Sequence, residues 1–118
     1  MKKYIILGSR EFAEEAADIA NDCNDILITA FGENYDKERC KEKLLNLPII
    51  WIDELVKFRD THLFVCAIGT TKRIDYIKHA ENLGLKFGSL IHPESRISKT
   101  SIVGEGSIIN AGVIIASH

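Results

Sequence analysis

No stretch of this sequence is long and apolar enough for a signal-peptide core or a membrane span. The opening MKKYIILGS is basic and then apolar, but charge returns at Arg10 and Glu11, so a soluble, cytoplasmic protein is expected. Cysteine is scarce and unpatterned: Cys23, Cys40 and Cys66 are odd in number, far apart, and form no Cys-x-x-Cys pair. That argues against a disulfide framework and against a zinc site, and no metal is expected. Neither sign of charge dominates, since 15 Lys and Arg face 17 Asp and Glu, so nothing electrostatic invites nucleic acid or an anionic membrane as partner. Asn-Gly and Asp-Gly pairs, the strongest hairpin signals, are absent.

What the chain does have is a ladder at its end. Ile97, Val103, Ile109 and Ile115 recur at every sixth position, each followed by a small or polar residue, and Ile102, Ile108 and Ile114 precede three of them. A hexapeptide repeat of this kind predicts a parallel β-helix, in which one branched side chain per face fills the axis of a triangular prism and small residues fit the corners. The alternative is an ordinary hairpin, because six is also a multiple of the strand period. Gly104, Gly106 and Gly112 interrupt any long alternating strand and favour the β-helix.

Before the ladder, strand and helix signals alternate. Lys3 to Leu7 is a short apolar run ending at Gly8, followed by a helix from Glu11 to Asn21 with Phe12, Ala13, Ala16, Ala17 and Ala20 on one face. A second strand, Ile26 to Phe31, ends at Gly32. Asp36 to Leu45 then carries a charged amphipathic pattern and predicts a helix closed by Pro48. Ile49 to Ile52 and Leu63 to Ile68 supply the third and fourth strands, with Asp53 as N-cap of a turn between them. A helix over Lys72 to Leu83 is stopped by Gly84, and Leu85 to Ile91 gives a fifth strand. Five strands with intervening helices predict an α/β fold, a small doubly wound parallel sheet of Rossmann-like form. The domain boundary falls near Pro93: residues 1–93 form the α/β domain, and residues 94–118 the first coil of the β-helix.

In a doubly wound sheet, ligands sit at the carboxyl ends of the strands. Here those ends are Gly8-Ser9-Arg10, Glu33-Asn34 and Gly69-Thr70-Thr71-Lys72-Arg73. Glycine lets backbone approach a phosphate, helix N-termini supply N–H donors, and Arg10, Lys72 or Arg73 can pair with a diphosphate. Glu33 or Asn34 can hydrogen-bond a base or ribose edge. The first loop lacks a full G-x-G-x-x-G, because Arg10 and Phe12 occupy positions where further small residues are wanted. Strand-ending glycines with solvated arginines remain the structural alternative.

The sequence resembles the NeuD/PglD-like bacterial sugar acyltransferases over nearly its whole length. The resemblance is carried by Tyr4-Ile5-Ile6-Leu7-Gly8, by Leu47-Pro48-Ile49-Ile50 with Asp53-Glu54-Leu55, and by Phe64-Val65-Cys66-Ala67-Ile68-Gly69 with Arg73. Leu90-Ile91-His92-Pro93 leading into Ile97 is its most specific part. It implies an N-terminal domain that binds a nucleotide-sugar, with Gly8, Ser9 and Arg10 in one phosphate-side loop, Gly69, Thr70, Thr71 and Arg73 in the other, and Glu33 near the base. It also implies a left-handed β-helix that trimerises and takes acetyl-CoA as co-substrate, so that the complete protein acetylates a UDP-activated amino sugar or a sialic acid. The family's general base lies in a later coil. His118 falls on a coil corner too early to match it, so no catalytic residue is assigned, and this chain alone is expected to be inactive. A non-catalytic nucleotide-sugar-binding or regulatory module is the alternative, and a nicotinamide-binding domain a weaker third.

Overall fold

The computed structural model describes residues 1–68, 72–91, 108–110 and 113–115. The sheet is built on β1 (Lys2–Leu7), β2 (Ile26–Glu33), β3 (Lys43–Leu44), β4 (Leu47–Trp51) and β5 (Leu63–Cys66), in the spatial order β3-β4-β2-β1-β5. β4, β2, β1 and β5 run parallel, and only the edge strand β3 is antiparallel. The chain moves outward from β1 through β2 to β4 and then returns to β1's other side as β5. Strand order therefore reverses between β1 and β5, and a crevice opens at their carboxyl ends.

The two faces are covered by different helices. α1 (Glu11–Asn21) buries Ala13, Ala16, Ala17, Ile19 and Ala20 against Ile6, Phe31 and Val65. Four alanines on the buried stripe let its axis approach the sheet closely. The opposite face packs Ile5, Leu7, Phe64 and Cys66 against Tyr76, Ile77 and Ala80 of α2 (Lys72–Asn82), with Ile52 and Leu55 from the 3-10 turn Ile52–Phe58. One irregularity keeps β2 in register with both layers. The pairing with β1 slips between Tyr4 and Ile5, so Tyr4 opposes Ile28 but Ile5 opposes Ala30. Thr29 is the extra residue of a bulge. Ile28 and Phe31, which a regular strand would send to opposite faces, therefore both join the α1 layer.

Two expectations are corrected. The helix expected over Asp36 to Leu45 is a 3-10 turn, Lys37–Lys41, followed by β3, which turns back onto β4. Asp36 caps that turn by accepting from the Glu38 N–H at 3.1 Å. Leu45 and Asn46 are left-handed, with φ of 51° and 64°, as a two-residue hairpin turn requires. Tertiary packing overrides the helical periodicity here, because Cys40, Leu44 and Leu47 all reach the α1 layer only when the chain doubles back over the sheet edge. Pro48 is thus a strand residue opposite Lys43, ahead of the point where β4 joins β2 at Ile49.

The fifth strand expected over Leu85 to Ile91 is divided. Phe87 forms a single parallel bridge with Phe64, and β6 (Leu90–Ile91) pairs in parallel with β7 (Ile108–Asn110) instead. In the ladder, β7 and β8 (Val113–Ile115) pair antiparallel, Ile108 opposite Ile115 and Ile109 opposite Ile114. Ile97, Val103, His92 and His118 lie outside the described residues.

Candidate functional site

A cavity of about 410 Å3 occupies the crevice where strand order reverses. Gly8, Ser9 and Arg10 after β1, Glu33 to Tyr35 at the end of β2, and Ala67 and Ile68 after β5 form its walls, with Phe12 and Tyr76 from the two helices. Five of the expected site residues, Gly8, Ser9, Arg10, Glu33 and Asn34, are thus brought to one cavity by the ends of two adjacent strands, β1 and β2. Gly69, Thr70 and Thr71 lie outside the described residues, and Lys72 opens α2. Arg73, on the first turn of that helix, is half-buried and acts on the Cys66 thiol, whereas Tyr76 is the α2 residue on the cavity wall.

Gly8 is fixed by a protein contact. It adopts φ +120°, and a Cβ there would stand 2.7 Å from the Ala67 carbonyl oxygen. β1 and β5 can therefore leave the sheet side by side only with glycine at this position. Its N–H donates to the Gly32 carbonyl at 2.8 Å and its neighbour Leu7 accepts from the Ala67 N–H at 2.8 Å, which ties the three strand ends together.

Ser9 and Glu33 are the buried polar pair of the site, 2% and 5% exposed. The Ser9 hydroxyl donates to Glu33 Oε1. Glu33 Oε2 accepts from the backbone N–H groups of Tyr35 at 3.1 Å and Asp36 at 2.9 Å. Arg39 completes the cluster: its Nε donates to Ser9 Oγ at 2.8 Å, its Nη2 donates to the Ser9 carbonyl, and its charge stands 4.0 Å from Glu33 Oε1. A buried carboxylate is tolerated when it is paired and hydrogen-bonded, and Glu33 meets both conditions. It holds the loop after β2 and the loop after β1 in one arrangement. Arg10, an exposed residue of the cavity lining, stands at the N-cap of α1 without capping it, and Glu11 and Glu14 follow in the first turn.

The thiol and phenol near the site are kept neutral. Burial pushes Cys66 up to about 11 despite the nearby Arg73 charge. Burial also raises the Tyr76 phenol well above its ordinary value, with Cys66 and Glu33 acting in the same direction. Sequence reasoning missed Arg39 and Tyr76. Arg39 sat inside a segment read as a surface helix. Tyr76 was detectable as the single aromatic of an otherwise strongly polar helix. Among the described residues, no group of three or more His, Cys, Asp or Glu side chains could hold a metal ion, and no helix is long and apolar enough to cross a membrane.

No protein-family model and no curated protein matches this chain. Solved structures do. The acetyltransferase domain of PglB from Neisseria gonorrhoeae, in complex with acetyl coenzyme A, is similar with 24% identity and a TM-score of 0.68 over 93% of this chain and 53% of its own. PerB from Caulobacter crescentus, in complex with CoA and GDP-perosamine, is similar with 22% identity and a TM-score of 0.75, over 95% of this chain and 53% of its own. A mutant GDP-perosamine N-acetyltransferase from the same organism gives 21% and 0.77, with the same coverage. The chain spans about half the length of these structures. It shares their fold.

Proposed function

We propose that residues 1–93 bind a nucleotide-activated sugar, and that residues 94–118 begin a left-handed β-helix, in a NeuD/PglD-like sugar acetyltransferase that uses acetyl-CoA. In that reaction the acceptor amine or hydroxyl attacks the thioester carbonyl, CoA leaves as the thiol, and a base takes the acceptor's proton. The described residues contribute recognition of the acceptor. The base and the acetyl-CoA site are assigned to the later coils, and a trimer is the assembly that would stack those coils.

The observation that carries this reading is the cavity at the strand-order reversal, with Ser9 and Arg10 at the start of α1 on one side and the clamped loop of Glu33 to Asp36 on the other. The helix start and Arg10 suit a diphosphate, and Asn34 and Tyr35 stand where a nucleoside would lie. A nicotinamide dinucleotide is disfavoured by the same geometry. Dinucleotide domains use an acidic residue after the second strand to chelate ribose hydroxyls, whereas both oxygens of Glu33 already accept bonds from Ser9, Tyr35 and Asp36.

Calorimetric titration with UDP, GDP, a UDP-amino sugar, acetyl-CoA and NAD tests the proposal. Binding of a nucleoside diphosphate and its sugar conjugate, without NAD, is the expected result. Binding of NAD alone, or of none of these ligands, would overturn it. Nucleotide-sugar binding by a complete protein that transfers no acetyl group would favour the regulatory-module alternative.

A further inference from the structure

Tyr76 is 1% exposed, lines the cavity, and its hydroxyl has no hydrogen-bond partner among the described residues. Buried hydroxyls in folded proteins are almost always paired, and an unpaired one lowers stability. The sequence also makes room for this phenol. A Cβ on Gly32 would stand 2.8 Å from Tyr76 Oη, so β2 carries a glycine at an interior position, where that residue is otherwise unfavourable. Two destabilising features that meet at one cavity wall imply a partner that arrives with a ligand.

We infer that Tyr76 Oη donates a hydrogen bond to an uncharged oxygen of the bound nucleoside, a ribose hydroxyl or a base carbonyl. This rests on the nucleotide-sugar reading and extends it to a specificity-determining residue. Burial keeps the phenol protonated, so its O–H is available to donate to a ligand acceptor at neutral pH. The position selects the nucleoside over the diphosphate. Oη lies against Gly32 and within electrostatic reach of the Glu33 carboxylate, which repels a phosphate, whereas Arg10, an exposed cation of the cavity lining, suits the diphosphate. The hydroxyl is sealed from solvent in the free protein, so the nucleoside must displace some of the packing around it to reach it.

The test is Tyr76→Phe, which keeps the ring. The ligands are whichever of UDP or GDP the wild-type protein binds more tightly, the matching nucleoside, and pyrophosphate. We expect the free variant to melt a few degrees higher, because an unpaired buried hydroxyl is gone. Affinity for the nucleotide and the nucleoside should both fall about fivefold, as for one neutral hydrogen bond, and that for pyrophosphate should not change. Opposite movements of stability and affinity would not arise from a merely structural tyrosine. A lower melting temperature of the free variant, or unchanged nucleoside affinity, overturns the inference and leaves nucleotide binding standing. A loss of affinity confined to pyrophosphate also overturns it. A wild-type protein that binds no nucleotide overturns the nucleotide reading and this inference with it.

Discussion

Arg39 offers the sharpest test of how the site is held. Its guanidinium forks onto Ser9, with Nε on the hydroxyl at 2.8 Å and Nη2 on the carbonyl, and its charge faces a Glu33 side chain only 7% exposed, 4.0 Å away. At that separation the gross attraction is about 4 kcal/mol for an effective dielectric near 20. The desolvation of Glu33 offsets part of this, and the 22% exposure of the Arg39 side chain screens more. Arg39→Ala removes two charge-assisted bonds and leaves Glu33 with the Ser9 hydroxyl and two backbone donors. The expected loss is about 2–3 kcal/mol of unfolding free energy in urea. Arg39→Lys keeps the charge but cannot donate in a fork to hydroxyl and carbonyl together. It should recover less than half of that loss. Nucleotide affinity should fall about tenfold in Arg39→Ala, as the loops must be ordered on binding. An alanine variant within about 0.5 kcal/mol of the wild type, with unchanged affinity, would refute the idea that this cluster organises the site.

Three further outcomes follow from single observations. Gly8→Ala places a Cβ 2.7 Å from the Ala67 carbonyl at a φ of +120°, and should cost about 2–5 kcal/mol in urea unfolding; a loss below about 1 kcal/mol would show that the strand ends can part. The Cys66 thiol titrates at about 11 in the folded protein against 9.0 ordinarily. Its raised value means that its contribution is intact below the unfolded value and is lost as pH climbs through the folded one. Relative to Cys66→Ala, the wild type should therefore lose about 2 kcal/mol between about pH 8 and pH 11, and parallel stability curves would refute the shift. Leu45→Asn combined with Asn46→Gly should raise stability by about 1 kcal/mol, because both positions are left-handed; a destabilised double variant would mean that Leu45 packs usefully.

The parallel core was legible because its signals are local and redundant. Apolar runs ending at Gly8, Phe31 and Ile68 gave β1, β2 and β5 to within a few residues, and the alanine stripe of α1 gave most of its buried face, with Ile19 buried in addition and Phe12 only partly. The β3–β4 hairpin was not legible. Its turn is Leu45-Asn46, which carries no glycine to mark the left-handed backbone, and the charges from Asp36 to Glu42 repeat at helical spacing. Only the sheet edge, which is absent from any local window, decides between the two. Similarly, the strand positions of Ser9 and Glu33 could be read, but not the guanidinium that joins them, since Arg39 lies thirty residues from Ser9 along the chain.

Glycine was the sequence's argument for a ligand, and the structure moves that argument to side chains. Of the two glycines in that argument, Gly8 is required by the Ala67 carbonyl and so implies no phosphate, and Gly69 lies outside the described residues. Gly32 is required by the Tyr76 phenol and Leu55. What packing does not explain is the residue that Gly32 makes room for. If close packing alone were at issue, phenylalanine at position 76 would fill the same space without a buried hydroxyl, and the oxygen at the ring's end would have no purpose. Ser9 shows the contrasting case, a buried hydroxyl with its donor and acceptor capacity taken up by Glu33 and Arg39. Within one cavity, the first hydroxyl is committed to shaping the loops and the second is left for what enters between them.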